Sequence, residues 1–254
     1  MALIPDTGAL FRRYFTKLLR NPTLLVTNLV TPVAFLALFS QMLAKLSLFP
    51  GVGGSFLAYL TPGIVVMCSV MFSAQAGISI VNDLNSGFLQ KMLVTQVNRG
   101  AILLGRLCTD VFMVVFASAL VVLAALLMGV TFVTGVPGIL LLLATSAFFG
   151  LTWAAIFLAI GIKTRSPETL SAFGSGVAFI LLFLSSGMFP TSIMPVWAQT
   201  FSQWNPVSYV ADAMRSTVQG GYNWGAFGSA YALTLALTAV AFAAALYQFR
   251  KTVH

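Results

Sequence analysis

The chain has 254 residues, 59% of them hydrophobic and only 7% charged, with 13 Lys and Arg against 5 Asp and Glu. Soluble domains carry about 25% charged residues, so this composition excludes a cytosolic enzyme, a secreted disulfide scaffold and a disordered chain, and leaves an integral membrane protein. The net charge of +8 does not imply nucleic acid as a partner, because the basic residues gather at the ends of apolar stretches, as membrane topology requires.

In chain order, the first patterned segment is 9–20, ALFRRYFTKLLR. On a helical wheel Leu10, Phe11, Tyr14, Phe15, Leu18 and Leu19 fill one half, and Arg12, Arg13, Thr16, Lys17 and Arg20 the other. This predicts an interfacial helix with Arg12, Arg13, Lys17 and Arg20 toward anionic headgroups, ended by Asn21-Pro22. Charges precede the first apolar run and that run exceeds a signal-peptide core, so a cleaved leader is not expected. A first span is predicted at 23–44, then a Gly-rich turn (Pro50, Gly51, Gly53, Gly54) and a second span at 57–81.

The next segment, Asp83 to Val94, is amphipathic: Leu84, Phe88, Leu89, Met92 and Leu93 share one half of a wheel, and Ser86, Gly87, Gln90 and Lys91 the other. Asp83 stands where an N-cap would accept from free amides. A connection of this length invites a role: a rod that docks into a soluble subunit. Spans follow at 107–130 and 138–162, separated by Thr134-Gly135-Val136-Pro137-Gly138, and at 169–188. Residues 187–221 are different. Pro190, Pro195 and Pro206 forbid one straight helix, and Trp197, Trp204 and Tyr209 favour a membrane–water interface. Two short helices, about 193–203 and 207–218, are predicted as a re-entrant hairpin over 190–220. Asn205-Pro206 opens the second, and Asp212 and Arg215 pair at i,i+3. A last span is predicted at 226–248.

The expected fold is therefore one all-α membrane domain over 1–254 with six transmembrane helices. With the N-terminus inside, eleven basic residues fall on the cytoplasmic side and two, Lys45 and Arg215, outside, which predicts both termini in the cytoplasm.

What the chain lacks is also informative. Its only histidine is His254, which excludes bis-histidine haem ligation, a His-based zinc site and a Ser/His dyad; Cys68 and Cys108 lie in apolar stretches and suggest neither a disulfide nor a metal site. No charge falls in the six predicted cores, with Arg106 and Asp110 expected to face water at the start of the third span. That weighs against an ion-coupled carrier. There is no Gly-x-x-x-x-Gly-Lys-[Ser/Thr] loop to cradle nucleotide phosphates, so ATP and Mg would belong to another chain and this one is expected to be non-catalytic, with no cofactor of its own. Gly174-Ser175-Gly176 reads as helix packing, with Ala172 and Gly176 as a small-x-x-x-small pair. Phe35, Gln41, Gln75, Ser79, Phe173 and Phe179 are candidates to line a path for an amphipathic substrate.

Two sets of residues resemble a known family. One is Leu60-Thr-Pro-Gly63, Asn82-Asp83-Leu84, Gly87, Arg99 and Gly105-Arg106. The other is Ser186-Gly187-Met-Phe-Pro190, Met194-Pro195-Val-Trp197, Asn205-Pro206 and Asp212-Ala-Met-Arg215. Together they resemble the ABC-2 type transporter permeases, in the style of the daunorubicin/doxorubicin-exporter and nodulation-factor-exporter membrane subunits. Thr95-Gln96-Val97-Asn98-Arg99 departs from the family's Ser-Pro or Leu-Pro before the Arg. The resemblance implies export of a hydrophobic or amphipathic, drug-like or lipid-linked substrate across a bacterial inner membrane. Two permease copies, identical or close paralogues, would pair with two ATP-binding-cassette ATPase subunits. Asp83, Gly87, Phe88, Lys91, Met92 and Arg99 would form the coupling segment against the ATPase, with 9–20 as the connecting helix. Pro190, Pro195, Trp197, Asn205, Pro206, Tyr209, Asp212 and Arg215 would form the external gate, and helices 1, 2 and 5 would surround the substrate path. The competing readings are an ion-coupled secondary carrier and a membrane assembly protein that transports nothing.

Overall fold

A computed structural model describes residues 8–9, 11–16, 20, 22–48, 52–87 and 99–252. Among them every regular element is helical. After a helical stretch at 11–16 come α1 (Pro22–Met42), a short 3-10 turn (Ala44–Leu48), α2 (Phe56–Asn85), α3 (Arg99–Leu127), α4 (Gly135–Thr164) and α5 (Pro167–Phe183). Then follow a 3-10 turn (Thr191–Ile193), α6 (Val196–Trp204), α7 (Pro206–Arg215), a π turn (Ser216–Gly220) and α8 (Trp224–Thr252). Four described segments are long and apolar enough to cross a membrane: Phe56–Asn85, Leu104–Leu127, Gly135–Thr164 and Trp224–Gln248. Leu29–Met42 and Pro167–Phe183 are shorter and apolar.

The centre is α2. Its buried residues run from Phe56 to Asp83, and α1, α3, α4, α5 and α7 all pack against it. Close approach is set by glycines: a Cβ on Gly63 would overlap the carbonyl of Gly187, and one on Gly77 would lie 2.5 Å from the Phe157 carbonyl oxygen on α4. Buried hydroxyls join the same pair of helices, since Ser73 Oγ donates to the Gly150 carbonyl at 2.8 Å.

Three expectations are corrected. Asp83 does not cap a separate helix; it lies in the last turn of α2, buried, and the helix ends at Ser86 with Gly87 at φ +69°. The physical reason is that glycine supplies the left-handed exit, while Arg13 Nη2, 3.5 Å from Asp83 Oδ1, neutralises the carboxylate. Arg106 and Asp110 do not face water: both are buried, paired to each other. Ala172 and Gly176 lie on the open side of α5, with nothing within 4 Å of a Cβ on Gly176. The packed side carries Leu170, Gly174, Ala178 and Leu182, and Gly174 meets Ala74, whose Cβ would lie 2.8 Å from an added methyl.

Candidate functional site

Two polar clusters sit at opposite ends of α2, with a cavity between them. At the first end, Tyr59 on α2, Ser186 after α5, and Asp212 and Arg215 on α7 converge. Tyr59 Oη donates to the Ser186 carbonyl at 2.7 Å, and Arg215 Nη2 donates to the same oxygen at 2.6 Å. The Arg215 guanidinium lies over the Tyr59 ring, 3.8 Å from its centroid, within cation–π range. It also pairs with Asp212, which accepts from Ser186 Oγ at 2.8 Å. A carbonyl between helices is thus satisfied twice, and α7 is tied to α2.

Asn205 fixes the turn between α6 and α7. Its Oδ1 accepts from the Val207 amide at 3.0 Å, and its Nδ2 donates to the Leu181 and Leu184 carbonyls at 2.7 and 3.1 Å. One side chain therefore caps α7, where Pro206 takes the first turn, and satisfies the end of α5. Pro190 is buried, whereas Pro195 and Trp197 are exposed. Tyr209 Oη donates to the Gln203 carbonyl at 2.9 Å. Of the gate residues named from sequence, Asp212 and Arg215 belong to the polar cluster and Asn205 and Pro206 to the turn; Trp197 stands apart on the open face of α6.

At the other end, Arg13 and Tyr14 of the N-terminal helix meet Asp83 of α2 and the Arg106–Asp110 pair of α3. Arg106 Nη2 donates to Asp110 Oδ1 at 2.6 Å and to the Gln75 carbonyl at 2.9 Å. The Tyr14 ring lies 5.3 Å from the Arg13 guanidinium and 5.2 Å from that of Arg106. The Arg13 and Arg106 guanidiniums and the Asp83 carboxylate thus surround one aromatic ring, with Asp110 behind Arg106. Burial pushes the Tyr14 phenol above its ordinary value, and the Asp83 carboxylate pushes it further the same way. Arg12 and Arg20 are exposed; Arg99 begins α3. Lys17, Phe88, Lys91 and Met92 lie outside the described residues or their side chains.

The cavity, about 180 Å³, lies between α1, α2 and α5 and is lined by Thr31, Pro32, Met71, Phe72, Gln75, Ser171 and Ser175 among others. Of the substrate-path candidates, Gln75 alone lines it. Phe35 and Phe179 face each other across α1 and α5 with centroids 6.4 Å apart, and Phe173 packs on Phe157 at 6.3 Å. Gln41 is exposed and Ser79 half-buried, both away from the lining.

Sequence reasoning missed Tyr14, Tyr59 and Ser186 as organisers, and read Arg106 and Asp110 as solvated. The i,i+4 spacing of Arg106 and Asp110 was a usable signal. Nothing local marks Tyr59, whose partners are remote in sequence.

Residues 5–218 match the ABC-2 type transporter family model. The chain belongs to the ABC-2 type transporter family. This ABC-2 protein is 28% identical over 219 residues to the daunorubicin resistance ABC transporter permease protein DrrB1 of Streptomyces coeruleorubidus, covering 86% of this chain and 77% of the relative. It is 29% identical over 234 residues to the ycf38 transport permease of Pyropia yezoensis, covering 88% and 77%. It is 23% identical over 209 residues to the doxorubicin resistance ABC transporter permease DrrC of Mycobacterium tuberculosis, covering 82% and 75%. These relatives do not restrict the source to bacteria. The family match and the apolar helices make the ABC-2 chain a multi-pass membrane protein of the permease type, and its match takes in both polar clusters.

Proposed function

We propose that this chain is the membrane-spanning permease subunit of an ATP-driven exporter, working as a pair of copies with two separate ATP-binding-cassette ATPase subunits. The observation that carries the reading is the construction of α2. One continuous buried helix holds Asp83 beside the N-terminal helix at one end and Tyr59 under Arg215 and Ser186 at the other. The segment leaving α2 past Gly87 is the docking rod for the ATPase, with Phe88, Lys91 and Met92 on it and Arg99 at its return. A push on that rod travels along α2 to the cluster that ties down α7, and so to the external gate.

In this reading the six helical stretches α1 to α5 and α8 span the membrane with both termini in the cytoplasm. The cavity at Gln75, Thr31, Ser171 and Ser175 lies on the face of α1 and α5 that the second copy covers. Its few polar groups among apolar walls suit a hydrophobic or amphipathic substrate, drug-like or lipid-linked. ATP and Mg act on the partner, which supplies the phosphate-binding loop this chain lacks.

A mild-detergent pull-down of the tagged chain, with mass spectrometry and an ATPase assay on the eluate, tests the proposal. The expected result is a stoichiometric P-loop ATPase that F88D/M92D loses while the chain still inserts. A clean homo-oligomer without an ATPase, or complex assembly that survives the double substitution, overturns it. The buried Arg106–Asp110 pair in the first turns of the α3 span is the observation favouring an ion-coupled carrier, since buried charges in a spanning segment mark ion pathways. That reading requires transport to collapse with an uncoupler and to persist without ATP.

A further inference from the structure

The helical stretch at 11–16 has three faces, and two are used within the chain. Tyr14 turns inward between Arg13 and Arg106. Phe11 and Phe15 turn sideways onto Phe112 of α3, with centroids 6.4 and 5.2 Å away and rings edge-on. The third face carries Arg12, Thr16 and Arg20, which together with Ala9 and Arg13 line an open groove of about 500 Å³. The Arg20 amide donates to the Thr16 carbonyl at 3.1 Å, so the turn carries Arg20 onto the same side. Thr16 spends its own hydroxyl hydrogen on the Arg12 carbonyl at 2.7 Å, which leaves the guanidiniums as the donors. Among the described residues no carboxylate pairs with Arg12 or Arg20, whereas Arg13 is committed to Asp83.

A second observation meets the first. Along α3, Cys108, Phe112, Phe116, Leu123 and Leu127 are all exposed, close to the helical repeat and within a segment apolar enough to cross a membrane. Phe112 stacks on Phe116 at 6.4 Å. An apolar lane therefore runs down the span from Phe11 and Phe15, and these two residues adjoin Arg12 and Thr16 in sequence. The cationic groove and the hydrocarbon-facing lane thus lie on adjacent faces of one helical stretch.

We infer that this junction binds an anionic phospholipid, its phosphodiester held by Arg12 and Arg20 and one acyl chain lying along Phe112 and Phe116. The guanidinium fork matches two phosphate oxygens. A zwitterionic lipid presents the same phosphate but cancels its charge, so the groove selects for net negative headgroups. Each arginine beside an anionic surface is worth roughly fivefold in affinity. The inference rests on α3 spanning the membrane and not on an ATPase or on export, so it fails or stands independently of the exporter reading.

Native mass spectrometry of the purified full chain, titrated with phosphatidylglycerol or phosphatidylcholine of the same acyl chains, tests it. The wild type should retain phosphatidylglycerol at least fivefold more tightly. R12Q/R20Q should bring the two lipids to parity, R12K/R20K should keep most of the preference, and F112A should weaken both lipids alike. The melting temperature in zwitterionic detergent establishes that each variant is folded. No preference in the wild type overturns the inference, as does a preference that R12Q/R20Q leaves unchanged. So does loss of a co-purifying acidic protein in R12Q/R20Q with the lipid preference intact, which would make the groove a protein-docking surface.

Discussion

Gly63 sits where α2 crosses the backbone of Gly187, and a methyl group there would overlap the Gly187 carbonyl. The obstruction is backbone, held by Ser186 and its partners Tyr59, Asp212 and Arg215, so it cannot swing aside as a side chain could. Gly63→Ala should therefore cost at least about 3 kcal/mol, the upper end of ordinary overpacking, read as a lowered thermal midpoint in detergent. Gly176→Ala, with open space around it, should leave that midpoint within the error of measurement or raise it slightly, because alanine is the better helix former. Equal effects at the two positions would contradict the packing described for α2 and α5.

At the scale of elements, the question is what attaches the N-terminal helix to the bundle. Its Tyr14 rests against the guanidinium of Arg106, and Arg106 is fixed by Asp110 and by the Gln75 carbonyl. Breaking a buried ion pair by removing one member costs about 3–5 kcal/mol, whereas replacing both by apolar residues of similar volume is often neutral. Asp110→Leu alone should destabilise the chain by that amount, and the double variant R106M/D110L should recover most of it, measured as a double-mutant cycle on thermal unfolding. Full additivity of the two single changes would mean the pair is not coupled. This cluster also shows how far the sequence was legible. The amphipathic pattern at 9–20 identified a helix, yet a two-sided wheel could not distinguish an inward Tyr14 from a sideways Phe11 and Phe15; that division depends on α2 and α3 arriving beside it. Asp83 was read as a cap because its side chain can accept from free amides, and Gly87 was read as one position of a docking rod. In the fold Gly87 supplies the exit from α2, and Asp83 stays inside the helix because Arg13 reaches it.

For the whole molecule, the organising fact is that α2 is buried along nearly its full length while α3, α5 and α8 each keep an open side. The two cysteines report on this difference, because Cys68 lies on α2 with no exposed surface and Cys108 lies on the open side of α3. Burial alone pushes the reactivity of a thiol down. A small membrane-permeant maleimide in mild detergent should therefore label Cys108 ahead of Cys68, which reacts only once the chain unfolds, as C68A and C108A variants analysed by mass spectrometry would show. Rapid labelling of Cys68 in the native chain would mean that α2 is not the central helix.

Residue order alone makes this a helical membrane protein, because hydropathy and charge act residue by residue. So few charges cannot coat a soluble domain, and long charge-free runs must satisfy their backbone within helices. It also determined where the short helices of 187–221 turn, since proline and the Asn205 cap act locally. Which face of each span is packed depends on how the helices meet in the fold, which is why Gln75 lines the cavity while Gln41 and Ser79 do not. A helix apolar on every side carries no contrast for periodicity to read. The choice of face then falls to glycines that admit a neighbouring backbone and to polar groups such as Tyr59, Ser186 and Arg215, whose partners lie up to 156 residues away.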